Sequence, residues 1–218
     1  MKNIKIKSIL FLILGISAVI WFLIAYYKNI DMSNFQEYIK ILPQVVTIDL
    51  VLYSIFTKWL WKLKIFQYWL VPFPDLQGTW EGFIFSNWEN PDGTGKIKRI
   101  PAILTIKQSF SSISCKVKTS ESTSFSYAEG FKIDEERQVR QLVYSYTNKP
   151  KLSLSERSAV HEGTIILDII LEREKKLKGE YWTSRKTTGE VVFKFREKKL
   201  LEDIPDELDE HPMDSETR

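Results

Sequence analysis

Two histidines, His161 and His211, and one cysteine, Cys115, are the whole stock of imidazole and thiol in this 218-residue chain. That excludes a three-histidine metal centre, a Cys-rich zinc site and any intrachain disulfide. His161-Glu162 opens like a zincin motif, but Ile165 stands where the second histidine belongs. No G-x-S-x-G elbow, G-x-x-x-x-G-K-[ST] phosphate loop or G-x-G-x-x-G string occurs. Gly93 and Gly95 fit a hairpin turn, and Asp134-Glu135-Glu136 reads as a solvated acidic turn. The chain is therefore expected to have no catalytic residue, no metal site and no cofactor.

What remains is a set of aromatic and polar side chains at period two. Tyr144, Tyr146 and Asn148 share one face of Leu142–Asn148, and Tyr181, Thr183 and Arg185 share one face of Gly179–Arg185. Ser122, Ser124 and Ser126 share a third, and His161 begins a face that turns apolar through Ile165 and Leu167. Stripes that are apolar at one end and polar at the other suit a barrel lumen filled at its base and lined by polar groups at its mouth. The candidate ligand-binding residues are Tyr144, Tyr146, Asn148, His161, Tyr181, Thr183 and Arg185, with Ser122, Ser124 and Trp80 added. Arg185 has the planar fork that best fits a phosphate. For Trp80 a core plug at the barrel base is the competing reading. Period two does not say which face is inside, so solvent exposure of all these stripes stays open.

The elements that must position them begin after Val71-Pro-Phe-Pro, where two prolines end any helix. Alternating, β-branched and aromatic runs predict strands near 79–86, 101–108, 112–119, 122–131, 139–147, 160–171, 177–184 and 190–197. The turns between them include Asn90-Pro-Asp-Gly and Thr188-Gly. Short connections make neighbours antiparallel, and eight strands avoid exposed edges by closing. The expected fold is an eight-stranded antiparallel up-and-down β-barrel of lipocalin or avidin type, with a two-sheet sandwich as the alternative.

The front of the chain is different. Ile9–Tyr27 carries no charge, and 19 residues of helix reach about 28 Å, close to a bilayer's hydrocarbon thickness. Its length and aromatic end fit an anchor better than a cleaved signal. A second apolar stretch, Ile41–Thr57, is broken only by Asp49 and followed by Lys58, Trp59, Trp61, Lys62 and Lys64. Basic flanks around both stretches place the two termini in the cytoplasm, with the Lys28–Lys40 link outside. A carboxylate at that depth should face protein or water, and Tyr53, on the same helical face, is its candidate partner. Asp49 and Tyr53 are thus candidates for a membrane or oligomerisation role.

These zones give a two-helix transmembrane anchor (1–74), a cytoplasmic barrel (75–200) and an acidic disordered tail (201–218). The tail holds eight acidic residues against one basic. With 44% hydrophobic and 27% charged residues, the chain is neither wholly disordered nor wholly membrane-buried. Its net charge of +3 does not suit a protein that coats a polymeric nucleic acid.

Leu76-Gln-Gly-Thr-Trp-Glu-Gly82 opens the barrel with a G-x-W of the lipocalin and avidin type. Taken with Ser122–Ser126, Tyr144–Pro150, His161-Glu-Gly-Thr164 and Gly179–Gly189, it resembles the two-transmembrane, β-strand-rich effectors of bacterial cyclic-oligonucleotide-based antiphage signalling (CBASS). The resemblance spans the chain except the acidic tail. It implies a receptor in the bacterial inner membrane rather than an enzyme. The barrel would bind a cyclic dinucleotide made by a partner nucleotidyltransferase, self-associate, and disrupt the bilayer in abortive infection. A membrane-tethered carrier of an apolar ligand and a scaffold without a ligand are the alternatives.

Overall fold

The computed structural model describes residues 6–30, 35–67, 69–88, 99–154 and 158–205, without the side chains of 6–10. Lys2, Lys5, the Asn90-Pro-Asp-Gly turn, Gly95, His211 and the tail beyond residue 205 lie outside the described residues. The chain divides into two compact units, one of Lys2–Pro74 with Ser109–Ser111, the other of Asp75–Gln108 with Ser112–Arg218.

In the first unit, α1 (Ile6–Tyr27) extends the first apolar stretch by three residues toward the N-terminus. Inside the link to the second stretch, a short helix, α2 (Phe35–Lys40), precedes α3 (Leu42–Lys58). Pro43 explains the step between them, since it fits the first turn of a helix but not its interior. Phe35–Lys58 is long and apolar enough to cross a membrane by length and composition, while the described side chains of α1 form a shorter apolar helix, Phe11–Tyr27. The Trp and Lys collar falls in two 3-10 turns, Leu60–Lys62 and Lys64–Phe66, so the long helix ends before the prolines.

In the second unit, eight strands close in sequence order into one antiparallel barrel. They are β1 (Gly78–Ser86), β2 (Ile100–Gln108), β3 (Ile113–Lys118), β4 (Ser122–Asp134), β5 (Val139–Pro150), β6 (His161–Ile170), β7 (Lys176–Thr183) and β8 (Thr188–Glu197). Closure comes from β1 pairing with β8, with an irregularity at Thr79/Trp80 that brings Trp80 opposite Phe195. A second irregularity sits between Ser126 and Ala128 on β4. It resets the pleat, so the inward serines give way to Glu129 and Phe131.

Alternation fills the inside. Leu104, Leu142, Leu167, Leu177 and Phe193 are buried in one core with Trp80, Ile106 and Val191. Each such aliphatic or aromatic side chain contributes roughly 1.5–3 kcal/mol on burial. At the base, Gln108 Oε1 accepts from the Leu76 N–H at 2.7 Å, and Gln77 Oε1 accepts from the Gln108 N–H at 2.7 Å. Those bonds satisfy polar groups that burial would otherwise leave orphaned.

After β8 the chain does not leave the barrel at residue 200. The Thr79 hydroxyl donates to the Lys199 carbonyl (2.6 Å) and accepts from the Leu201 N–H (2.9 Å). Thr105 donates to the Leu201 carbonyl at 3.0 Å, and Lys118 pairs with Asp203 at 2.7 Å. The first residues of the acidic segment are thus strapped across β1, β2 and β3. The Lys118 ammonium beside it holds the Asp203 carboxyl below its ordinary range, chiefly by hydrogen bonding.

Candidate functional site

The up-and-down order puts the C-terminal ends of β1, β3, β5 and β7 and the starts of the other four strands at one end of the barrel. A cavity of about 340 Å³ opens there. Its volume falls at the lower end of the roughly 300–1,000 Å³ usual for small-molecule sites. Tyr144, Tyr146, Asn148, His161, Tyr181, Thr183, Arg185, Ser122 and Ser124 all line it. The stripes therefore face the lumen. Trp80 is the exception: it is 1% exposed, donates its indole N–H to the Leu76 carbonyl (3.0 Å), and meets Phe195 edge-on at 5.2 Å. It plugs the base and does not line the cavity, because the shifted pairing with β8 sets its ring against Phe195.

Local chemistry positions the lining groups. The Ser124 hydroxyl donates to Asn148 Oδ1 at 2.8 Å across the β4–β5 pair, which fixes the Asn148 amide with its NH₂ as the remaining donor. Tyr146 lies against Gly163 on β6: a Cβ there would sit 2.6 Å from its Cζ and Oη. Tyr181 uses Gly189 on β8 in the same way. Two inward glycines thus let two tyrosine rings lie close to backbone, which leaves the lumen open between them. Thr183 has a second duty, since its hydroxyl accepts the Thr187 N–H (3.3 Å) in the β7–β8 turn, where Lys186 has φ 63°.

Arg185 follows this stripe into the turn and donates to the Ser158 hydroxyl at 3.1 Å. Among the described residues it is the only Lys or Arg lining the cavity. His161 Nδ1 lies 3.0 Å from the Ala159 carbonyl, an acceptor only, so Nδ1 carries the proton and Nε2 is left for other partners. Burial lowers the His161 pKa below its ordinary value; Arg185 adds to that and the Ala159 bond opposes it. Burial also raises the pKa of Tyr144, Tyr146 and Tyr181, so all three phenols stay protonated and can donate.

Polar residues outside the candidate set also line the cavity: Ser86, Thr119, Glu121, Ser158 and Thr187. Ser86 and Thr119 continue the inward parity of Ile84 and Val117, so period two could have found them. Ser158 sits in a connection without periodicity and gave no signal.

In the helical unit, Asp49 meets Ser17 of α1, whose Oγ is 2.7 Å from its Oδ2. Tyr53, the candidate partner, is exposed and is not bonded to Asp49. The carboxylate reaches across the hairpin instead of along its own helix. Among the described residues no cluster of three or more His, Cys, Asp or Glu could hold a metal ion.

Comparison with known proteins bears on this arrangement. A CD-NTase-associated protein 15 from Staphylococcus schleiferi is 28% identical over 157 residues, covering 72% of this chain and 80% of its own. A protein of the same name from Escherichia albertii is 29% identical over 155 residues, 69% of this chain and 74% of its own. The family described as "Cap15, cyclic dinucleotide receptor domain" matches residues 71–195, which hold β1 to β7, β8 as far as Phe195, and every described residue that lines the cavity. With more than half of its length matched, the chain belongs to the Cap15 cyclic dinucleotide receptor family.

Proposed function

We propose that this protein is a membrane-anchored effector of antiphage defence whose barrel binds a cyclic dinucleotide. The observation that carries the reading is the content of the cavity inside the family match: among the described residues, the Arg185 guanidinium, the His161 imidazole and paired phenols in a partly enclosed lumen. Arg185 would take a phosphate through its fork, with His161 Nε2 beside it. Tyr146 and Tyr181 offer faces for base stacking, worth about 1–3 kcal/mol per base in comparable sites. A carrier of apolar ligands has no use for these groups.

In this reading occupancy promotes self-association, and α1 and α3 cross the inner membrane and disrupt it once assembled. Both termini are cytoplasmic and the link around Lys28–Lys40 is outside. The boundaries are an anchor to residue 74, a sensor over 75–200 and a tail from 201 to which no role is assigned. Asp49, with Ser17, holds the hairpin together, and Tyr53 is an exposed position available to the assembly.

Calorimetry of the full chain in detergent against cyclic di-AMP, cyclic di-GMP, cyclic di-UMP and cyclic GMP-AMP tests the receptor. Saturable binding of at least one is expected, and no binding by a cooperatively melting protein overturns it. Membrane potential in cells making the bound dinucleotide tests the effector, with collapse expected only when both components are present.

A further inference from the structure

We infer that Tyr144 is the residue by which the barrel tells one nucleobase from another, its hydroxyl meeting a polar edge atom of a base inserted from the mouth. The inference rests on the cyclic dinucleotide reading above and deepens it.

Tyr144 is 1% exposed, faces the lumen from the middle of β5 and lines the cavity below Tyr146 and Asn148. Its hydroxyl is buried and has no hydrogen-bond partner among the described residues. Most buried polar groups are partnered, and an orphaned one costs roughly 1–3 kcal/mol. Of the polar side chains nearby, the Tyr146 phenol stands two residues nearer the mouth, and Glu129 and Cys115 are engaged or inert. Glu129, its cross-strand neighbour on β4, is held by the Ser126 hydroxyl. Burial raises the pKa of Cys115 well above its ordinary value and keeps the thiol neutral. The apolar residues that line the cavity, among them Val117, Ile165, Val191 and Phe193, pack against the faces of a base but read none of its edges.

Position decides which part of the ligand arrives there. His161 lies opposite Asn148, four residues up β5 from Tyr144, which is about 13 Å of strand. A phosphate held by His161 and Arg185 at the mouth leaves the base as the part that can reach Tyr144. Cyclic dinucleotides of one phosphodiester linkage share the ribose-phosphate ring and differ only at the bases. A buried group built to hydrogen-bond one base edge discriminates against a base that leaves it unpaired.

The test uses the full chain in detergent, Tyr144→Phe, and the same four dinucleotides, all with 3′,3′ linkages. The substitution should weaken the tightest binder roughly tenfold and the others less, so discrimination narrows. It should also raise the melting temperature of the unliganded protein by roughly 3 °C, since it removes an orphaned hydroxyl. Arg185→Ala is the reference, expected to weaken all four alike because the phosphates are common to them. Equal weakening of every probe by Tyr144→Phe, or unchanged affinities whatever the melting temperature, overturns the inference alone. Failure of the unsubstituted protein to bind any probe overturns the receptor reading and this one with it.

Discussion

The two ends of the barrel are built from the same strands and do opposite work. On β5, Leu142 is fully buried in the base core, while Asn148, six residues on, presents an amide at the mouth. On β6 the stripe runs from His161 at the mouth to Leu167 and Ile169 in the core. The base is a buried apolar core closed by the paired Gln77 and Gln108 side chains; the mouth keeps a cavity with a guanidinium and an imidazole beside it. The lesson is a division within each strand. Stability is concentrated where side chains interdigitate, so the other end is free to carry polar groups that contribute little to folding.

The largest effect that tests this division is at the base. Leu142→Ala should destabilise the barrel by about 3 kcal/mol, read as a drop of roughly 10 °C in melting temperature. A drop of a degree or two would mean that the base is not the stabilising end. At the mouth the signs reverse. Arg185 is exposed and bonded only to Ser158 among the described residues, so Arg185→Ala should leave the melting temperature almost unchanged. The same variant should weaken dinucleotide binding by roughly 10- to 100-fold, the range for a charge-assisted hydrogen bond.

Gly163→Ala sits between the two ends. The added methyl would fall 2.6 Å from Tyr146 Cζ and 2.8 Å from the Trp182 carbonyl oxygen, so the ring must swing into the lumen and the β6–β7 pairing must give. Binding should drop severalfold with a loss of stability smaller than that of Leu142→Ala, and a stability loss as large as that of Leu142→Ala would blur the boundary between the ends.

The smallest effect is a pH dependence. The His161 pKa is lowered in the empty barrel, and a bound phosphate favours the imidazolium and raises it. Binding therefore takes up a proton. Affinity is highest below the free-state pKa and falls as pH rises toward the bound-state value. Titration between pH 5 and 8 should show a change of severalfold that His161→Gln abolishes. Stability moves the other way, because a histidine with a depressed folded-state pKa destabilises the fold as pH drops through its ordinary value near 6.5.

Much of the architecture was legible in the residues. All eight strands fall where alternating runs of Val, Ile, Thr, Phe and Tyr place them, with ends within three residues of the expected ones. Local chemistry sets some of these limits. The Thr119 hydroxyl, for example, accepts the Ser122 N–H at 3.0 Å and closes the β3–β4 turn. The helix inside the expected link is not legible in the residues, because Phe35–Lys40 is too short for its periodicity to stand out. Asp49 was legible as a group needing a partner, but Ser17 is 32 positions away and helical spacing points only to neighbours on the same helix.

By itself, then, the sequence determined which segments are strands, that they pair with their neighbours, and which side chains share a face. Period two defines two faces and treats them alike. Closure of β1 onto β8 decided that Tyr144, Tyr146, Tyr181 and the Asn148 amide face the lumen, and the shifted pairing at Thr79/Trp80 set Trp80 at the base. Those choices belong to the tertiary structure because inside and outside exist only once the sheet has met its own edge. A strand's local geometry is the same before and after that meeting.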